Sequence, residues 1–539
     1  MAEVCHSTSQ NDQAGLVWIA VGCAVLGACL SLPFANDPGF ERNKVFAVAF
    51  CAAILLAGLR LQRVSGLGMA LALALAMSAF TALDPARALI GSLERSQGVL
   101  LLGALSVFAL ARLPWPVCRF WIAVAAFLSS IWALIQLAGM EPFVLALTWE
   151  NSAWQNSEPN RVFAGFGNPT ALGGFLAMAL PVCAEMAKKG SRKSARVFGL
   201  IAGGLGVIAL LASGTRAALL GLALAALFVY WLQRYKLQKP SNGMLMLGSC
   251  ALGSLILVVI LFSPQRSASV QHRLELWGDA GAAIASAAQS KVLLDAPFSV
   301  QLSGELPVER FIHARIWLGF GADLQSVPLA AARYRQHAEP GESGETRVNQ
   351  TPISQTPISQ TTDLRFSDRA HNLLLDSLLE FGVIGTALLL IWLLRGVLRL
   401  QSEPWRLCAA LAGLLSWQAG FPLTAEKLVF VLVLCAVPIN TLSSSSAAVA
   451  FYLPRIFSCA LALALSVYCF GPWLVSSNMK LRTPEAAYHY FQAGTSAFKA
   501  RQFAVAKQQY TQAVAADPWR IDLRMALAQA EDQLRASTP

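Results

Sequence analysis

His371 and Asn372 stand in SDRAHNLLLDSLLEFGVIG (367–385), where a polar segment turns into an apolar run. Four ionisable groups, Asp368, Arg369, His371 and Asp376, fall within nine positions at that junction. Charge beside lipid is costly and usually marks function. An imidazole exchanges a proton near neutral pH, which suits acid–base chemistry at a membrane face. The same residues also fit a plain helix start, with Ser367 or Asp368 as the cap and His371 lying in the interface.

Arginine is the second chemical signal. Arg95 lies in ERSQG, Arg161 in RVFAGFGNP and Arg216 in the abrupt turn SGTRA, while Arg273 and Arg315 belong to a long outer loop. A guanidinium binds phosphate oxygens through two donors and keeps its charge in a low dielectric. Several of them around one cavity would hold a diphosphate. Taken singly, each also fits interfacial snorkelling or helix capping, although a four-residue turn leaves Arg216 little room to reach away. No CxxC or Cys/His cluster has zinc spacing, so no metal is expected. Gly319-Phe320-Gly321 reads as a tight turn; it lacks the strand–helix context of a dinucleotide site, and no cofactor is expected.

The elements that must position these groups are membrane helices. Hydrophobic residues make up 56% of the 539 positions and charged residues 13%, too apolar for a soluble chain of this length. Spans are expected near 14–34, 44–61, 66–83, 97–113, 117–139, 168–187, 197–213, 215–233, 244–262, 373–395, 405–421, 425–441 and 455–475. The fold class is therefore an all-α polytopic membrane protein of about 12–13 transmembrane helices, with a large external loop and a C-terminal helical hairpin. The polar MAEVCHSTSQND has no basic region, so the first run reads as a retained helix and not a cleaved signal.

Charge sets the expected orientation. With the N-terminus inside, the short inner loops and their flanks, including KKGSRKSAR (188–196) and QRYKLQK (233–239), carry 16 Lys and Arg, against seven outside. This asymmetry accounts for most of the net charge of +11, so the basic balance reports topology and gives no reason to propose nucleic-acid binding. Basic inner loops also meet anionic lipid. The chain divides into N-terminal helices (1–262), an outer loop (263–372), C-terminal helices (373–475) and an outer tail (476–539). Neither outer part holds any of the eleven cysteines, so no disulfide framework is expected there.

Within the loop, VQHRLELWGDAGAAIASAA (270–288) has helical periodicity and is expected to lie on the membrane surface, and residues 336–363, with TPISQ twice, read as a disordered insertion. In the tail, Ala487, Tyr490, Gly494, Phe503, Ala506, Tyr510, Ala513 and Pro518 follow the spacing of one tetratricopeptide repeat. A single repeat cannot bury its own face, so a protein partner or the membrane domain is expected to cover it. An ordinary helical hairpin is the other reading.

The ordered motifs RxxG (Arg95–Gly98), RVFAGFGNPTALGGF (161–175), SGTRAALLG (213–221), RLELW (273–277), LGFGAD (318–323) and DRAHNLLLDSLLEFGVIG (368–385) together resemble the O-antigen ligase and polymerase superfamily of bacterial membrane proteins, over residues 90–440. The resemblance implies a metal-independent glycosyltransferase in the bacterial inner membrane. It would move a glycan from an undecaprenyl-diphosphate carrier to lipid A–core, another glycan or a protein hydroxyl. It would make His371 and Arg216 catalytic. Arg95, Arg161, Arg273, Arg315, Asn168 and Asn372 would bind the lipid diphosphate or glycan. Thr215-Arg216 stands where the family usually shows Ser-Arg, and residues 289–313 and the TPISQ insertion enlarge the loop. Ligase and polymerase stay open, as do a small-solute transporter and a non-catalytic scaffold.

Overall fold

The computed structural model describes residues 2–30, 41–58, 66–82, 85–91, 97–111, 113–140, 161–237, 267–288, 315–322, 324, 329, 370–420, 422–437, 484–516 and 521–537. In order, the helices are α1 (Ala2–Cys29), α2 (Glu41–Gly58), α3 (Gly66–Phe80), α4 (Pro85–Ile90), α5 (Val99–Leu110), α6 (Trp115–Leu137), α7 (Pro169–Lys189), α8 (Lys193–Ala212), α9 (Arg216–Leu237), α10 (Ser267–Ala288), α11 (Arg315–Leu318), α12 (Leu373–Arg399), α13 (Pro404–Ser416), α14 (Thr424–Cys435), α15 (Pro484–Lys499), α16 (Phe503–Ala516) and α17 (Ile521–Ser537). No strand occurs among the described residues, which hold one isolated bridge, between Pro114 and Val437.

Among the described residues, five segments are long and apolar enough to cross a membrane: Trp115–Leu137, Pro169–Lys189, Lys193–Ala212, Arg216–Arg234 and Leu373–Ser402. The spans expected at 244–262 and 455–475 lie outside the described residues, as does the insertion at 336–363. The other expected positions each fall on a helix, though several of those helices are short. Helix α1 starts at Ala2, ahead of its apolar run. Helix α14 stops at Cys435, short of the expected 441. Pro438 explains that end, because the residue before a proline is pushed to extended backbone. Val437 accordingly pairs with Leu113 and Trp115, and Arg406 donates to the carbonyls of Val433 and Ala436 at the helix end.

Helix α7 is the axis of the bundle. It is buried along nearly its whole length against α6, α8, α9, α13 and α14, whereas α8 and α9 expose Leu200, Ile201, Leu211, Phe228 and Trp231. The starts of α6 and α13 meet the end of α7 at one pole. There Glu185 accepts from Trp115 Nε1 (3.1 Å) and pairs with Arg119 (3.5 Å), and Lys189 reaches Glu403 (3.8 Å). The starts of α2, α7, α9, α12 and α14 meet at the other pole, the one described under the candidate site.

A second, smaller core lies beside that pole. Ala79, Ala82, Ala88, Ala280, Ala283, Phe320, Leu324, Leu329, Ala370 and Leu379 bring α3, α4, α10, α11 and the head of α12 together. The apolar stripe of α10, expected to lie on the membrane surface, here includes Leu276, Ala280 and Ala283, and the helix packs on α11 and α12.

Helix α12 is broken at Gly382 (φ 64°, ψ −171°), where a continuous span was expected. The break leaves the carbonyls of Leu379 and Glu380 to other donors. Phe320 N takes Leu379 O (2.7 Å), while Gly321 N (3.1 Å) and Ser78 Oγ (2.7 Å) take Glu380 O. The segment Leu318–Gly321 thus fills the gap in the broken helix, and the approach is backbone on backbone.

In the tail, α15, α16 and α17 pack in succession. Tyr510 is buried, and a Cβ on Gly494 would lie 2.6 Å from its ring. Ala487, Ala506, Ala513, Leu523 and Ala530 complete the contacts, and Pro518 lies outside the described residues.

Candidate functional site

The site is built from helix starts. Asn168 has extended backbone and caps α7, its Oδ1 accepting from Thr170 N (2.8 Å). The turn Ser213–Gly214–Thr215 then delivers Arg216 as the first residue of α9. Thr215 Oγ1 donates to Pro169 O (2.8 Å), tying that turn to the start of α7. A Cβ on Gly173 would come within 2.6 Å of Thr215 Cβ, so only glycine allows this approach.

Arg161 locks the same turn from outside. Its Nε donates to Ser213 O (2.7 Å) and its Nη2 to Thr215 Oγ1 (3.3 Å). Just beyond it, Gln136 Oε1 accepts from Phe163 N (3.1 Å) and Ala164 N (2.8 Å), fixing the short turn Ala164–Phe166. Arg161, Asn168, Thr215 and Arg216 are therefore one structural unit, although 54 residues separate Arg161 from Thr215.

The histidine arrives on α12. Its cap is Asn372, where Ser367 or Asp368 was expected; Oδ1 accepts from Leu374 N (3.0 Å) and Leu375 N (3.2 Å). A helix cannot begin earlier because His371 itself has left-handed backbone (φ 55°). Asn372 Nδ2 donates to Gln418 O (3.0 Å), at the end of α13. Two residues on, a Cβ on Gly420 would lie 3.2 Å from Thr170 Cγ2, in the first turn of α7. Through Gln418 and Gly420 the His371–Asn372 corner joins the Arg161–Asn168–Arg216 unit.

Arg273, on α10, is partly buried. Burial lowers its pKa and the charge of Arg161 lowers it further, so the two guanidinium groups act on each other across the space between the elements. Arg315 is placed otherwise. It is buried at the junction of α3, α11 and α12, and its Nη1 donates to Thr81 O and, at 3.5 Å, to Gly319 O. Its Nε has no hydrogen-bond partner among the described residues, and burial pushes its pKa down to about 10, still charged at neutral pH. Arg95, Asp368 and Arg369 lie outside the described residues.

A buried polar group under this pole was not anticipated. Lys44 Nζ donates to Glu41 Oε1 (2.9 Å) and Phe166 O (3.4 Å), and Glu41 Oε2 accepts from Thr424 N (3.0 Å). Glu426 Oε1 accepts from Trp417 Nε1 (3.2 Å) and Oε2 from Leu423 N (2.9 Å). Lys427 Nζ donates to Gln97 Oε1 (2.8 Å), whose Nε2 donates to Pro422 O (3.2 Å). Its signal in the sequence was the acid and lysine at the head of two apolar runs, ERNKVF and TAEKLVF.

Chemically, the pole gathers cations and positive helix ends. The starts of α7, α9 and α12 carry partial positive charge and first-turn N–H groups that the helices themselves do not bond. Arg161, Arg216 and Arg273 add full charges. Groups of this kind can hold an anion, although Asn168 and Asn372 already take the N–H groups of Thr170, Leu374 and Leu375. No family model, curated protein or solved structure matches the chain.

Proposed function

We propose that the chain is a glycosyltransferase of the O-antigen ligase kind, acting on the outer face of a bacterial inner membrane. The observation that carries this reading is the joining of Arg161, Asn168 and Arg216 to the His371–Asn372 corner at one pole of an apolar bundle. The donor would be a glycan on undecaprenyl diphosphate, held by Arg216, Arg161 and Arg273. The acceptor oxygen attacks the anomeric carbon, the bond from that carbon to the diphosphate breaks, and the diphosphate leaves with the electron pair. His371 takes the acceptor's proton, and the arginines stabilise the charge on the leaving group. No metal or cofactor enters this scheme. Arg315 supports the loop in place of touching donor, given its bonds to Thr81 and Gly319.

The same proposal includes about 12–13 spans, with the loop and tail outside. Helices α15 and α16 read as one tetratricopeptide repeat that docks on a protein partner, with α17 opening a further unit. Polymerase chemistry would use the same site with a second carrier-linked glycan as acceptor. A small-solute transporter would draw on the buried Glu41, Lys44 and Glu426. These sit in the first turns of α2 and α14, at helix ends and not half-way along, which favours transferase over transport.

Single-turnover transfer and donor binding by the purified protein with carrier-linked glycan test the reading. His371→Ala should bind donor and lose about 10²–10⁴-fold in rate. Arg216→Ala should bind donor poorly, and Arg216→Lys should stay impaired because an ammonium lacks the two-pronged donor. Transfer by His371→Ala at the wild-type rate would end the acceptor-activation role.

A further inference from the structure

We propose that Asp376 is a positioning residue for His371, acting through the backbone on either side of it; its kinetic consequence rests on the transferase reading above. Asp376 lies in the first turn of α12 and is 5% exposed. Its carboxylate reaches back past the cap: Oδ1 accepts from Ala370 N (2.8 Å) and Oδ2 from Asn372 N (3.3 Å).

The stretch between those two amides is Ala370–His371. His371 is one of three non-glycine residues with positive φ among the described residues, the others being Ala164 and Arg501. Left-handed backbone is unfavourable for a side chain with a Cβ, and it persists only where the surroundings impose it. Here one carboxylate holds the peptide that follows His371 and the peptide that precedes Ala370, and Asn372 is pinned further by Gln418. The direction of a Cα–Cβ bond follows from backbone φ and ψ, so the grip sets where the imidazole can reach. A carboxylate fits the task because both oxygens accept; an amide would turn a donor toward one of the two N–H groups. The start of a helix also favours its negative charge.

The experiment pairs kinetics with hydrogen exchange on the full-length protein in detergent, using carrier-linked glycan as donor. Asp376→Asn should lower the single-turnover rate by about 10²-fold, the scale of a catalytic group misplaced by about an ångström, with donor KM near wild type. Exchange at the Ala370 and Asn372 amides should accelerate. In a His371→Ala background, Asp376→Asn should cost nothing more, because its effect passes through the histidine. Asp376→Glu keeps the charge and both acceptors on a longer arm. Should Asp376→Asn fail to fold, Asp376→Glu is expected to show the same faster exchange and reduced rate.

Unchanged exchange in a folded variant would overturn the proposal. So would an additive loss in the double variant, or a raised KM with unchanged rate. If His371→Ala alone transfers at the wild-type rate, the acceptor-activation reading is what fails. The exchange measurement then decides by itself whether Asp376 holds this backbone.

Discussion

The joint between Leu318–Gly321 and the broken α12 makes a demand that only glycine meets, and Gly319→Ala is the perturbation that tests it. Gly319 has φ +79°, and a Cβ there would meet the backbone of Glu380 and stand 2.6 Å from Gly382 N. No rotamer change relieves a clash with backbone, so the two segments must part. Left-handed backbone costs a non-glycine residue roughly 1–2 kcal/mol. Parting also breaks the bonds from Phe320 N to Leu379 O and Gly321 N to Glu380 O. Each is worth about 0.5–1.5 kcal/mol net. The combined loss of about 2–5 kcal/mol is a large share of the ~5–15 kcal/mol of an ordinary domain. Thermal unfolding in detergent should therefore shift down by several degrees, and amide exchange at Phe320 and Gly321 should rise towards that of open loop. Gly382→Ala should act from the other side: alanine favours helix, so α12 is expected to straighten, reclaim the two carbonyls and evict the same segment. A Gly319→Ala protein with wild-type melting and retained protection at Phe320 and Gly321 would refute this account of the joint.

Two further outcomes test the larger layout. Deleting residues 484–539 should lower transfer in cells but leave transfer by the purified membrane domain. Complete loss in a folded, inserted truncation would place the tail in the site. Topology reporters at Ser343 and Ser537 should report the same side of the membrane, opposite KKGSRKSAR; opposite sides would mean a miscounted span.

What could be read from the chain beforehand was chemistry concentrated in residue types. Arg161, Asn168, Arg216, His371 and Asn372 stand out because arginine, histidine and asparagine are conspicuous at the ends of apolar runs. Their joining could not be read, since it depends on Thr215 meeting Pro169 and on Gln418 meeting Asn372, contacts between segments 46 residues apart in each case. The expected span at 373–395 begins where α12 does, and only the alternative reading of a plain helix start put the cap on Ser367 or Asp368, both good capping types. The deciding fact is the left-handed turn at His371, which a sequence does not display. The break at Gly382 was hidden for a similar reason: EFGVIG looks like uninterrupted span, and the segment that donates to its exposed carbonyls lies some sixty positions earlier. Arg315 shows the converse. It has the right type and the right loop, but it is buried, with its Nη1 donating to Thr81 O and Gly319 O.

The arrangement of Arg161 and Arg273 bears on how such a site would work. Two guanidinium groups that repel each other normally separate into solvent, where screening makes the cost small. Arg161 is not at liberty to do so, because its Nε and Nη2 are held by Ser213 and Thr215, and the Thr215 hydroxyl is itself held by Pro169. Arg273 is partly buried, and its pKa is lowered by that burial and by the charge of Arg161. Under the proposed function, a diphosphate beside these two groups offsets that repulsion. In the proposed reaction the relief grows as the diphosphate leaves, since its negative charge is greatest once the bond to the sugar has broken. Groups fixed before the donor arrives need no rearrangement at that moment, which is the condition under which charge stabilisation contributes most to rate.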